Sequence, residues 1–194
     1  MSAMTTTRIG PVRQGRRQRR AERRRLRRQD ALSARLAELS AIRTLLGQAA
    51  AIVERGWVQR AWFTVSTPDG PRVLHGFDLR QAATRPVTGA CLVGAVVQAG
   101  GGPEAARSQA VQRAIDLTWH TLREDPRHPV RWCPGPYARG LQVLDLTHWN
   151  DAPTRTRDDV IGLLSAAQDT ADLQRELCLA ERAGLDAATR PAAR

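Results

Sequence analysis

A mainly helical domain with one β-hairpin, preceded by an arginine-rich arm that runs into a long N-terminal helix, is the fold the sequence predicts. Three observations carry that expectation. Residues 16–55 contain no proline, and Leu32, Leu36, Leu39, Ile42, Leu46, Ala49 and Val53 recur at three and four residues, the spacing of one helix face. Near residue 61 the period shortens to two, with β-branched and aromatic residues dense before the turn-forming Pro68-Asp69-Gly70. Beyond residue 103 the helical period returns and persists almost to the C-terminus.

Taken in order, residues 1–15 lack periodicity, carry Gly10, Pro11 and Gly15, and are expected to form a disordered tail. One helix follows over about 17–55, with Gly56 as its C′ residue. Its basic first half should be helical only in part, because closely spaced like charges oppose the helix. Trp62, Thr64 and Ser66 alternate with Ala61, Phe63 and Val65 as a strand, and residues 72–77 return beside it. Residues 78–87 are a loop. The apolar run 88–97 fits helix or strand by length; helix is preferred, with Thr88 as N-cap. Pro103 takes the N1 position of a helix through about Arg123. The proline- and glycine-rich residues 126–140 form an irregular loop and 141–148 a short helix. Thr156 and Asp159 open a last helix ending near Gly184 through a capping box. The organisation is an arm (1–29), one globular domain (30–185) and a tail (186–194). The expected core is Leu36, Leu39, Leu46, Ile52, Trp57, Leu92, Val96, Ile115, Leu122, Trp149, Val160 and Leu164.

Charge is the unusual part. The 194 residues include 30 basic ones, all arginine, and a net charge of +11. Eleven arginines against the single Glu22 give residues 1–29 a charge of +10, while 19 arginines against 18 acids leave +1 on residues 30–194. A nearly neutral body with a cationic arm excludes a uniformly basic protein and, for the body, a disordered composition. No apolar run approaches the length of a membrane span, and no apolar stretch follows the paired arginines as a secretion signal would require. Three scattered cysteines make no disulfide framework, so a cytoplasmic location is expected.

The arm is the strongest functional signal. Arg13, Arg16, Arg17, Arg19, Arg20, Arg23, Arg24, Arg25, Arg27 and Arg28 are the expected nucleic-acid-binding residues, because guanidinium forks match phosphate oxygens in pairs. Neutralised phosphates release counterions, which gives salt-sensitive affinity with little dependence on sequence. Residues 15–20 and 23–28 resemble the arginine-rich motifs of viral RNA-binding peptides, so the expected partner is RNA or DNA with RNA preferred, and a larger nucleoprotein assembly is the expected setting. The stripe in residues 32–53 either packs on the body, the preferred reading, or pairs two copies into a homodimer. The five tryptophans are expected mainly as core and hairpin anchors, with base stacking as their alternative role.

Enzymatic chemistry has a thinner basis. Cys91, near a helix N-terminus, followed in chain order by His148 and Asn150, has the residue types of a thiol hydrolase or transferase, but its apolar neighbours favour a buried core thiol. The chain is therefore expected not to be an enzyme and to carry no cofactor. His120, His128, Cys133 and His148 match no zinc-ligand spacing, and no metal is expected. An adaptor whose arm docks an acidic protein partner is the remaining alternative.

Trp149-Asn150-Asp151-Ala152-Pro153-Thr154-Arg155-Thr156 reads as a structural motif. Asn150 and Asp151 are expected to cap the turn and the coming helix, and Arg155 to pair with Asp151. With residues 54–57 and 89–95, this segment resembles a family of small proteins of unassigned activity from actinobacteria and their phages that share a WNDAPxRT motif. The resemblance spans about residues 42–170. It implies a common fold for that span and no catalytic residue.

Overall fold

A computed structural model of the chain describes residues 12–75 and 78–187. It is mainly helical, with α1 (Val12–Arg55), α2 (Leu79–Ala82), α3 (Leu92–Ala99), α4 (Gln109–Arg123), α5 (Pro136–Asn150) and α6 (Arg157–Ala187). A three-stranded antiparallel sheet is made of β1 (Phe63–Thr67), β2 (Gly70–Leu74) and β3 (Val87–Ala90), in the order β2-β1-β3. The hairpin pairs Phe63 with Leu74 and Thr67 with Gly70, so Pro68 and Asp69 form the turn, and Gly70 supplies a φ of 111°.

The long helices α1 and α6 lie side by side and bury the predicted stripe between them and the small helices. Leu32, Leu39, Ile42, Leu46, Ala49 and Val53 are all buried. Facing them, α6 buries Val160, Leu164, Ala167, Ala171 and Cys178, again at helical spacing. The short α3 is enclosed on every side, from Leu92 to Val97. Of the expected core, Leu39, Leu46, Leu92, Val96, Ile115, Val160 and Leu164 are buried, while Leu36, Ile52, Trp57, Leu122 and Trp149 pack against it half-buried. The stripe of 32–53 thus packs on the body. An 18-residue window of α1 reaches a mean hydropathy of 1.3, so this helix is long and apolar enough to cross a membrane by composition alone, unlike the expectation from the sequence. Its apolar face lies in the domain core instead.

Several boundaries differ from the sequence expectations. Residues 12–15 belong to α1, and the basic half is helical throughout, because every residue from Arg16 to Arg28 is a competent helix former. Residues 1–11 and 188–194 lie outside the described residues; Asp186 and Ala187, placed in the tail by sequence, complete α6. Residues 78–87 contain the short α2. Thr88 is in a strand, not at a helix N-cap: β3 pairs with β1, and the Thr88 hydroxyl donates to Thr64 O at 3.1 Å. Cys91 is the N-cap of α3. Pro103 opens only a 3-10 turn to Arg107, and α4 starts afresh at the Ser108 cap. Pro136 at N1 starts α5 five residues before the predicted helix. The Thr156–Asp159 capping box is present in both directions, with the Asp159 carboxylate accepting Thr156 N–H at 2.9 Å and Thr156 Oγ1 accepting Asp159 N–H at 3.2 Å.

Candidate nucleic-acid interface

The arginine arm is the first 17 residues of a single 44-residue helix. Along α1, the first described tie to another element is Arg28, which pairs with Glu181 of α6; Gln29 follows, donating to Asp186 at 2.6 Å. Residues 12–28 extend the helix about 25 Å further, at 1.5 Å per residue. Arg16, Arg17, Arg19, Arg20, Arg23, Arg24, Arg27 and Arg28 are exposed and Arg25 is half-buried. Arg13 lies in α1, but its side chain is outside the described residues.

The spacing of these arginines carries a signal that sequence inspection of apolar periodicity missed. Arg16, Arg17, Arg20, Arg23, Arg24, Arg27 and Arg28 recur at three and four residues and share an arc of about 140° on the helix. The opposite side holds Gln18, Glu22 and Leu26, and the half-buried Arg25 lies 4.0 Å from Glu22. The first turn of α1 has no acid to offset the positive end of its macrodipole. The result is a cationic helix face whose charges repel one another and whose N-terminus attracts anions.

The WNDAP segment ends α5 and fastens the domain. Asn150 is buried: Oδ1 accepts Trp57 Nε1–H at 2.9 Å and Leu92 N–H at 3.0 Å, while Nδ2 donates to Val58 O at 3.2 Å and to Asp151 Oδ1 at 2.8 Å. Asp151 also accepts the Arg60 N–H at 2.8 Å, holding a residue whose φ is 57°. Asn150 and Asp151 therefore tie three distant parts of the chain together rather than capping α6. Arg155 does not pair with Asp151. It lies 3.9 Å over the Trp149 ring, donates to Trp149 O at 3.3 Å and pairs with Asp159 at 3.7 Å. Thr156 makes the capping box already described.

Cys91 and its supposed partners are not assembled as a nucleophile and base. The thiol is buried and accepts Gly94 N–H at 3.3 Å, and burial pushes its pKa up to about 11, the reverse of an activated thiolate. His148 is exposed on α5, and no hydrogen bond joins it to Cys91 among the described residues. Asn150 is fully used in the contacts above. Among the described residues no three His, Cys, Asp or Glu side chains gather as metal ligands.

A second polar cluster escaped the sequence, since its members are far apart in the chain. Asp116 is fully buried on α4 and pairs with Arg139 of α5 at 3.2 Å, while accepting the Cys133 N–H at 3.1 Å. Arg139 also donates to Gln112 Oε1 at 3.0 Å. This pairing of a buried carboxylate pins the irregular segment before α5. It also fixes Trp132, whose ring has Arg113 at 4.5 Å above one face. Trp57 and Trp119 donate their indole N–H groups to Asn150 and Asp145. All five tryptophans pack half-buried against the core, the anchoring role preferred from the sequence.

No curated protein and no solved structure matches the chain. One family model does, over residues 37–170, a span that takes in the Asn150 cluster and leaves the arginine face outside it, and the chain thus belongs to the family of unknown function DUF6197.

Proposed function

We propose that the protein is a non-enzymatic accessory nucleic-acid-binding protein, in which the arginine face of α1 holds the phosphate backbone and the neutral body supplies contacts within a nucleoprotein assembly. The observation that carries this reading is the segregation of charge, +10 on residues 1–29 against +1 on the rest, together with the exposure of seven of those arginines along one helix face. A row of guanidinium groups at helical spacing suits a phosphate backbone, and the anion-attracting helix end adds to it. RNA is favoured over DNA because the arm resembles arginine-rich RNA-binding peptides. An origin among actinobacteria or their phages, implied by the WNDAPxRT resemblance, belongs to the same proposal.

Binding of mixed RNA and duplex DNA at two salt concentrations tests the reading, using the full chain and a chain lacking residues 1–29. Six to eight engaged phosphates give a slope of about −4 to −7 in log affinity against log salt. The truncated chain should lose most of its affinity. Equal binding by both chains, or no binding of either polymer by the full chain at ~100 mM salt, rejects nucleic-acid binding by the arm. Capture of an acidic protein that survives nuclease treatment, without binding to either polymer, would instead support an adaptor.

A further inference from the structure

The arginine face does not stop where the arm meets the body. Continuing α1 at the same three- and four-residue spacing, the positions after Arg27 and Arg28 are Ala31, Ala34, Arg35, Glu38 and Ala41. These five residues line one wall of a groove of about 600 Å³ between α1 and the start of α4, where Ala110 and the indole of Trp132 form the other wall. The groove opens one helical turn beyond the last arginine of the face. From Ala31 to Ala41 it runs about 15 Å along α1, at 1.5 Å per residue.

We propose that this groove receives unpaired bases of the nucleic acid whose phosphates lie on the arginine face, so that the preferred ligand is single-stranded rather than fully paired. The inference rests on the nucleic-acid reading above and specifies its substrate. Four observations support it. The alanines keep the wall apolar and let a flat ring approach the helix closely. Trp132 supplies an aromatic surface, with the Arg113 guanidinium 4.5 Å from its ring and the next backbone N–H, that of Cys133, held by Asp116, so the platform is ordered before anything binds. Its indole N–H has no hydrogen-bond partner among the described residues, unlike those of Trp57 and Trp119. The charges of the groove also suit a polyanion. Glu38 accepts a hydrogen bond from Gln109 Nε2 at 2.8 Å and is paired with Arg113 at 3.6 Å, whereas Arg35 makes no ion pair among the described residues and has only a long 3.5 Å bond to Gln174.

A duplex carries its bases stacked inside, so it can lie along the arginine face without reaching the groove. A single strand presents phosphates to the arginines and can turn its next bases under the alanine wall. Each base stacked on an aromatic side chain contributes on the order of a tenfold gain in affinity.

The test compares a 12-nucleotide mixed-sequence single strand with a 12-base-pair duplex, at one salt concentration, on the full chain. Ala31→Leu/Ala34→Leu fills the groove from exposed positions of a helix that accepts leucine, so folding is not at stake. Trp132→Leu removes the platform. Either variant should weaken single-strand binding about tenfold and change duplex binding less than twofold. Unchanged single-strand affinity in the alanine variant overturns the inference, as does native binding of the duplex at least as tight as that of the single strand. Loss of self-association in the filled variant, with strand affinity intact, overturns it in favour of a protein occupant. Failure of the nucleic-acid reading is distinguishable, since then the native chain binds neither probe, or replacing Arg16, Arg20, Arg23 and Arg27 by Gln leaves both affinities unchanged.

Discussion

Both ends of the Asn150 amide are committed inside the domain, and no other side chain of similar size reproduces the pattern. Its oxygen accepts from an indole and from the first N–H of α3, while its nitrogen donates to Val58 O and Asp151. Alanine would leave the Trp57 N–H, the Leu92 N–H and the Val58 carbonyl in need of partners, at a penalty of one to three kcal/mol for each group that stays dry. Asn150→Ala should therefore lower unfolding free energy by about 3 kcal/mol, read from the urea midpoint at constant m-value. Asn150→Asp should be worse, because a carboxylate oxygen would then face both Val58 O and Asp151. A loss below about 1 kcal/mol would mean that water replaces the amide. The sequence announced this residue through the density of Asn, Asp and Pro around it. It gave no clue to the partners, because hydrogen bonds across about 90 residues leave no local spacing to detect.

At the scale of elements, close backbone approaches rather than propensity decide how α3 sits. A Cβ built at Gly94 would lie 2.3 Å from Trp62 O, and one at Gly56 would lie 2.2 Å from Thr88 O. Gly94→Ala improves helix propensity by about 1 kcal/mol, yet it must push α3 away from the start of β1. The expected outcome is a net destabilisation of 2 kcal/mol or more, seen as a thermal midpoint lower by several degrees. A raised midpoint would show that the two elements part without loss. Such approaches also explain which elements were legible. The stripes of α1 and α6, the hairpin turn and the Thr156 capping box have short-range signatures and appear where the sequence placed them, although the returning strand is Gly70–Leu74 rather than 72–77. β3 does not, since residues 87–97 are apolar on all sides and the strand is defined only by pairing with β1. The break at Ser108 was hidden because Pro103 is a good N1 residue for an α-helix and equally good for a 3-10 turn. On the candidate interface the amount of charge was plain in composition. Its arrangement on one face followed from treating arginine, not leucine, as the periodic residue.

For the whole molecule, the continuity of α1 is what separates an oriented interface from a loose polycation. The same arginines on a flexible tail would find phosphates with similar salt dependence, because counterion release depends on the number of phosphates neutralised and not on the geometry of the chain. A rigid helix adds direction: it leads a bound strand toward the groove beside Trp132 and keeps the path at a fixed angle to the body. Leu26 offers a way to break the continuity without altering charge. It is 47% exposed and lies before the Arg28–Glu181 and Gln29–Asp186 ties. Leu26→Pro removes one helical hydrogen bond and places the ring against the preceding turn, which kinks or ends the helix there at about 3 kcal/mol. The body should melt at an unchanged temperature, since its packing begins at Leu32. Helical content by circular dichroism should fall by the share of the arm, and rise again when polyphosphate neutralises it. Single-strand affinity should fall about fivefold to tenfold through loss of preorganisation, while the salt slope stays within one unit of native. Unchanged affinity would mean that the arm works as a flexible cation and that its helical register carries no information for binding.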